Sequence, residues 1–390
     1  MRTYFKIISL MAGMIFPLIY FATLTLAQTT PSDAMPLLLY RGDAGRTGVA
    51  SASGLPIFTA VKWRRTVMTP AFTPTLYGDL LLMGDPSGKV LALDVETGEV
   101  VWMYDTGTPS LVSAIAVADD LLYFGSGDQS PAAGLYVVDG ATGEQRWFFP
   151  TDGSIWSSTP LIDKGLVYFG SDQGTFYAVN LQTRQEVWTY TMREGVHAWA
   201  AAEANTVYCA DASTLYAFDA MTGDLLWQVA QSADWLPLAV AGDVIYAGTD
   251  DHVFHALNAQ TGEESWSFKD RRVTRSGWSA PVVADGMVYA GNRTGVMYSF
   301  DAATGDVLWK FQAEDAATSD PVLANGILYF GVGAHGPGDD AAKRSFYALD
   351  AASGELLWTF EGEGLVYTAP VVGEGVVYFH TIIGNLYALN

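Results

Sequence analysis

The chain has 390 residues, with 20 Lys and Arg against 42 Asp and Glu, and a net charge of −22. Half of the residues are apolar and 16% are charged, a balance that excludes intrinsic disorder, which needs few apolar groups and many charges. The acidic excess leaves no basic surface for phosphate contacts, so a nucleic-acid binder is excluded as well.

Arg2 and Lys6 are the only charges ahead of an uncharged run from Ile7 to Ala27. A basic start, an apolar middle and a small-residue exit at Thr25-Leu26-Ala27 predict a signal peptide over residues 1–27. The run is long enough to span a bilayer, so an uncleaved anchor is the alternative, and Pro17 in its middle favours cleavage. The expected place of work is outside the cytoplasm, with membrane association only through an uncleaved N-terminus. Residues 28–57 read as an extended segment that contains Tyr40-Arg41-Gly42-Asp43-Ala44-Gly45-Arg46-Thr47-Gly48. Cys209 is the only cysteine, so no intramolecular disulfide can form. It fills a strand slot held elsewhere by Ala or Phe and reads as packing.

Internal repeats dominate the rest. Leu91-Ala92-Leu93-Asp94, Thr97-Gly98-Glu99 and Trp102 form one copy, and similar runs end at Trp147, Trp188, Trp227, Trp266, Trp309 and Trp358. The third copy has Thr183-Arg184-Gln185 where Thr-Gly-Glu is expected. An eighth copy begins at Leu386 and stops with the chain at Asn390. Its missing tryptophan is Trp63, in Val61-Lys62-Trp63-Arg64-Arg65, although nothing before this strand completes a repeat. The eight tryptophans are spaced 39, 45, 41, 39, 39, 43 and 49 residues apart. A period near 40 with short apolar runs and glycine turns specifies four-stranded propeller blades. The expected fold is therefore an all-β, eight-bladed propeller over residues 58–390, its last blade closed by the N-terminal strand. In the sixth copy Trp278–Val283 reads as the innermost strand, followed by strands at 287–290, 296–300 and 307–311.

The consensus A-x-D-x-x-T-G-x-x-x-W resembles the tryptophan-docking motif of the pyrroloquinoline quinone (PQQ) repeat family, over about residues 60–390. The segment from Tyr40 to Gly48 resembles a short element that precedes many such propellers. The resemblance implies one of two roles. One is a PQQ-binding, calcium-dependent dehydrogenase, with a vicinal cysteine pair, a catalytic Asp and insertions that build a cofactor chamber. The other is a non-catalytic scaffold of the BamB-like group. One cysteine and little sequence beyond eight blades favour the scaffold: no catalytic residue, cofactor or metal, a protein or peptide partner, and a monomer. The absent lipobox cysteine is a departure from BamB. A sugar sensor stacking its ligand on tryptophans is a third reading.

Other motifs have plainer readings. Gly331-Val332-Gly333-Ala334-His335-Gly336 has dinucleotide-loop spacing, but Pro337 follows where a helix would be needed. His252 and His255 are three apart, so on a strand they face opposite ways and share no metal. His335 and His380 have no partner nearby in the sequence. Asn292-Arg293-Thr294 matches a glycosylation sequon by chance. The residues outside the repeat consensus gather just before the innermost strands, which prolines mark at 160, 237, 281, 321 and 370: Trp156, His197, Trp199, Asp234, Trp235, Arg275, Trp278 and Tyr367. They read either as a plug of the channel or as an aromatic partner-binding surface at its mouth. That face also carries the long loops 125–134 and 331–344.

Overall fold

The computed structural model describes residues 41–67, 72–107, 110–127, 132–155, 158–195, 200–270, 277–314, 318–333, 345–366 and 368–390. It is an all-β, eight-bladed propeller. Blades 1 to 7 span Thr75–Asp105, Ala116–Pro150, Leu161–Thr191, Ala201–Ala230, Trp235–Lys269, Val282–Gln312 and Val322–Glu361. Each is an antiparallel sheet in chain order from the axis outward. Blade 8 takes three strands from Val371–Leu389 and its outermost from Val61–Thr66, where Trp63 pairs with Ala388 and Arg65 with Leu386. The split repeat closes the ring as its sequence implies.

Burial follows the radial position. Second and third strands such as Leu166–Gly170 and Phe176–Val179 are buried on both faces between neighbouring blades. Outermost strands such as Val307–Gln312 alternate between exposed and half-buried residues. Each outermost strand carries one register shift beside its tryptophan. The extra residue bends the edge and turns the indole toward the next blade.

There the indole N–H finds a backbone carbonyl. Trp63 donates to Val95 (2.9 Å), Trp102 to Gly140 (3.1 Å), Trp188 to Ala220 (3.0 Å), Trp227 to Ala259 (3.1 Å), Trp266 to Ala302 (3.0 Å) and Trp309 to Ala351 (3.0 Å). The Asp or Asn of each receiving turn accepts from the backbone two and three residues on, as Asp301 does from Ala303 and Thr304 and Asn258 from Gln260 and Thr261. These bonds hold the Asp301 carboxyl below its ordinary range. The turn glycine has a positive φ, 77° at Gly305, and a Cβ there would lie 2.6 Å from the Trp266 ring. Glycine is thus required twice, for conformation and for contact.

The degenerate third copy has Arg184 in the place of this glycine. Arg184 adopts the same turn at φ 60° but brings a Cβ. Trp147 meets Tyr123 edge-on at 74°. The equivalent Trp–Tyr pairs at Trp63, Trp188, Trp227, Trp266, Trp309 and Trp358 are tilted by 40–49°.

Two sequence expectations need correction. The innermost strand of blade 6 runs only from Val282 to Ala284, and Trp278 makes a single bridge to Asn292. Pro281 offers no N–H, so the ladder starts after it. The segment before Val61 does complete a repeat, in space. Trp358 donates to the Leu55 carbonyl at 2.8 Å, where other blades offer an Asp-x-x-Thr-Gly turn. Thr59 and Ala60 donate to the Asn390 carbonyl, and Phe58 packs on Trp358 and Phe360. The crossover chain thus offers Trp358 the carbonyl that an Asp-x-x-Thr-Gly turn offers elsewhere.

Candidate functional site

Residues 41–50 run across the inner strands and line the axis from blade 3 round to blade 7. The Arg46 side chain is wholly buried. Its Nε donates to Ala200 O (2.8 Å), and its Nη2 donates to Thr159 O (3.1 Å) and Pro160 O (3.3 Å), which joins blades 3 and 4. A guanidinium suits this task because its planar fork offers several donors that stay charged and directed. Arg41, also buried, donates to the carbonyls of Pro281, Pro321 and Arg46, reaching blades 6 and 7.

Between Ala44 and Gly48 the backbone serves four successive blades. Ala202 N donates to Ala44 O (2.7 Å), Val240 N to Gly45 O (2.7 Å), Val283 N to Thr47 O (2.9 Å) and Leu323 N to Gly48 O (3.0 Å). Each donor is the next-to-last residue of its innermost strand. There the N–H points away from the blade's own ladder, so the segment satisfies edges that would otherwise face the channel. Gly45 comes so close that a Cβ would sit 2.3 Å from the Val240 carbonyl. Asp43 fixes the bend by accepting from the Thr47 amide and hydroxyl. Val49–Ala50 then runs parallel to the inner strand of blade 7. Sequence reading assigned this stretch only to a recurring element. Its overlooked signal was two arginines five residues apart, framed by glycines, in a chain with few basic residues.

Among the described residues, the opposite part of the axis is open. A cavity of about 680 Å³ lies between the axial segment and the inner strands of blades 1 and 8, walled by Val49, Ala50, Leu76, Ala369, Val371 and Val372. Asp79, Glu96 and Glu374 stand with Lys62 where it meets the face of the Asp-x-x-Thr-Gly turns, and Lys62 is 2.7 Å from Glu96. At the plugged side of that face, burial raises the Glu203 carboxyl above its ordinary range, helped by Asp43, Asp243 and Asp163.

Of the residues expected at the channel mouth, Trp156, His197, Trp199, Arg275 and Tyr367 lie outside the described residues. Trp278 belongs to the core between blades 5 and 6. It is 6% exposed, packs on Phe254, Phe268 and Tyr298, and has its Cβ 2.5 Å from where a Cβ on Gly248 would stand. Trp235 is 7% exposed and lies 5.4 Å from the His255 ring. As placed, neither offers its face to a partner. Asp234 is exposed, and its backbone pairs with Asp250.

His255 sits on the third strand of blade 5, with Nδ1 2.7 Å from Glu264 and Nε2 3.3 Å from Thr249. His252 lies in the preceding turn at φ 76°, not on a strand. His380 finds partners distant in the sequence: Nε2 is 3.1 Å from the Phe72 carbonyl and 2.9 Å from Thr368 Oγ1. These contacts cross the seam between blades 8 and 1, and burial lowers the imidazole to about 4. Gly331 ends a strand and the third strand of blade 7 begins at Ser345; residues 334–344 lie outside the described residues. Asn292 is buried, with its Oδ1 accepting from Thr294 and Val296, so its amide stabilises a loop. The Cys209 thiol is fully buried and pushed up by burial. Among the described residues no group of three or more His, Cys, Asp and Glu is placed to hold a metal.

A PQQ-repeat family described as outer membrane protein assembly factor BamB matches this chain over residues 37–190, 108–213, 183–277, 211–336 and 321–390. The chain belongs to that family. Among solved structures, BamB from Moraxella catarrhalis is similar with a TM-score of 0.65 and 17% identity, covering 86% of this chain and 100% of that one. The quinohemoprotein alcohol dehydrogenase from Comamonas testosteroni reaches a TM-score of 0.70 at 14% identity, covering 90% of this chain and 80% of that one. At such identities the likeness shows the fold alone. Among curated proteins, the quinoprotein alcohol dehydrogenase PedE of Pseudomonas putida is 30% identical over 106 residues, 25% of this chain. The chain spans about a sixth of the length of the curated relatives it matches. The BamB family thus shares its propeller with quinoprotein dehydrogenases.

Proposed function

We propose that this chain is a non-catalytic propeller that works outside the cytoplasm as a scaffold for a protein or peptide partner. The observation that carries the reading is the axial segment. Residues 41–50 take up the inner-edge amides of blades 4 to 7 and, through Arg46, carbonyls ahead of blade 3, which favours a plugged axis over a cofactor chamber. The dehydrogenase resemblance implies PQQ and calcium, and the residues do not fit them. A vicinal cysteine pair is impossible with Cys209 alone, and that thiol is buried in a strand. The family's description supports the partner class, and the apolar-rich N-terminus supports export. The partner surface is assigned to the face of the inter-blade connections, with Trp156, His197, Trp199, Asp234, Arg275 and Tyr367 as contacts. The other face repeats one turn seven times and offers little to tell partners apart.

The similarity to PedE favours a second reading, a quinone-dependent alcohol dehydrogenase. A dye-linked assay with PQQ and calcium separates the two. The scaffold reading expects no saturable alcohol-dependent turnover, and saturable turnover would overturn it. In crosslinking pull-downs, Trp156→Ala with Arg275→Ala is expected to lose the partner at unchanged melting temperature. Thr97→Ala, on the turn face, is expected to keep it.

A further inference from the structure

We propose that the open half of the channel is a second binding site, built to take a short extended peptide by backbone pairing with the inner edges of blades 1 and 8. This deepens the scaffold reading, on which it rests, by naming a site and the chemistry of its ligand.

The argument starts from equivalent positions. In blades 4 to 7 the next-to-last residue of the innermost strand, Ala202, Val240, Val283 or Leu323, donates its amide to a carbonyl of the axial segment. The residues in the same register are Leu76 in blade 1 and Val372 in blade 8. Leu76 pairs opposite Leu81, as Val283 pairs opposite Val288, and Val372 pairs opposite Val377. Two-residue turns close these hairpins, so the amides one residue back from the turn point out of the sheet toward the axis. Among the described residues, neither the Leu76 nor the Val372 amide has an acceptor. Both residues line the cavity.

An unpaired strand edge beside an apolar space is a template for an added strand. On the other side of the same channel the protein's own chain takes up such amides one per blade, through the carbonyls of Ala44, Gly45, Thr47 and Gly48, and then pairs Val49–Ala50 as a short parallel strand with blade 7. The cavity volume lies in the ordinary range for a bound ligand. Its apolar wall of Val49, Ala50, Leu76, Val371 and Val372 suits small aliphatic side chains. Asp79, Glu96 and Glu374 against Lys62 leave the opening acidic, which favours a basic residue at one end of the peptide.

The test uses the full chain and an acetylated, amidated hexapeptide of alternating alanine and valine ending in lysine, titrated by calorimetry. Amide exchange is followed over residues 73–78 and 369–374. Binding is expected to be saturable and to slow exchange at Leu76 and Val372. Val372→Pro removes the outward donor without touching the ladder and is expected to weaken binding at least tenfold. Glu374→Gln, which leaves the backbone unaltered, is expected to weaken it severalfold and to lower its salt dependence. Absence of binding, or binding that protects other segments and ignores both substitutions, overturns the proposal. In the latter case the peptide sits elsewhere and the scaffold reading stands. Saturable quinone-dependent turnover would instead remove the scaffold reading and leave the peptide titration to be judged on its own.

Discussion

Blades 4 to 7 and blades 8 and 1 are built from the same repeat, yet their inner edges meet different fates. In the first group the amides of Ala202, Val240, Val283 and Leu323 are taken up by one strand of chain anchored by two buried arginines. In the second group the amides of Leu76 and Val372 face a cavity. Eightfold repetition therefore makes eight similar edges, and a single non-repetitive segment decides which are closed. The segment then leaves the axis to support Trp358 through Leu55 and to supply the last strand of blade 8. Plugging and ring closure are consecutive parts of one stretch.

The largest effect should come from cutting that link. Deleting residues 58–67 removes the fourth strand of blade 8 and exposes the edge of Asn385–Leu389. The melting temperature is expected to fall by on the order of 10 °C, with self-association visible on size exclusion. A monomer melting within a degree or two of the parent would contradict the closure.

Next comes the anchor of the plugged half. Arg46→Ala strands the carbonyls of Ala200, Thr159 and Pro160 in the interior, and a loss of about 3–5 kcal/mol is expected in urea unfolding. Arg64, exposed and paired to Glu363 at 2.6 Å, is the contrast, and Arg64→Ala should leave the midpoint unmoved.

The open half is expected to be the acid-sensitive one. Burial holds His380 at about 4, below the ordinary value near 6.5. The unfolded chain therefore binds a proton that the folded chain refuses. The stabilisation is full above pH 6.5 and is lost as pH falls toward 4, on the order of 3 kcal/mol across that window. His380→Gln should flatten stability over it. Because His380 ties Phe72 to Thr368, acid should loosen the seam between blades 8 and 1 first.

The smallest effect concerns the irregular repeat. Arg184→Gly relieves a left-handed residue, so a gain of about 0.5–1 kcal/mol is expected on thermal unfolding. The same change at Arg146, which pairs with Asp139 on an outermost strand, should give no gain.

What the sequence made legible was whatever repeats. The docking tryptophans, the aspartate turns, the split blade and the blade count all follow from spacing, because each repeat solves the same packing problem. Trp235 and Trp278 misled because their place before the inner strands suggested a mouth, whereas both fill gaps between blades. For Trp278 the space is left by Gly248, whose importance shows only in three dimensions. Arg41 and Arg46 were illegible for a related reason. Their acceptors are carbonyls up to 280 residues away, and a backbone carbonyl leaves no mark in the sequence. The crossover at Leu55 was hidden likewise, since what it offers Trp358 is also a backbone carbonyl.

The account rests on the contrast between a plugged and an open half, and amide hydrogen exchange reads it residue by residue. The amides of Ala202, Val240, Val283 and Leu323 are expected to exchange only when the whole propeller unfolds. Those of Leu76 and Val372, in the same register of the same repeat, are expected to exchange orders of magnitude faster in the free protein. Equal protection at all six positions, or faster exchange in blades 4 to 7, would contradict it.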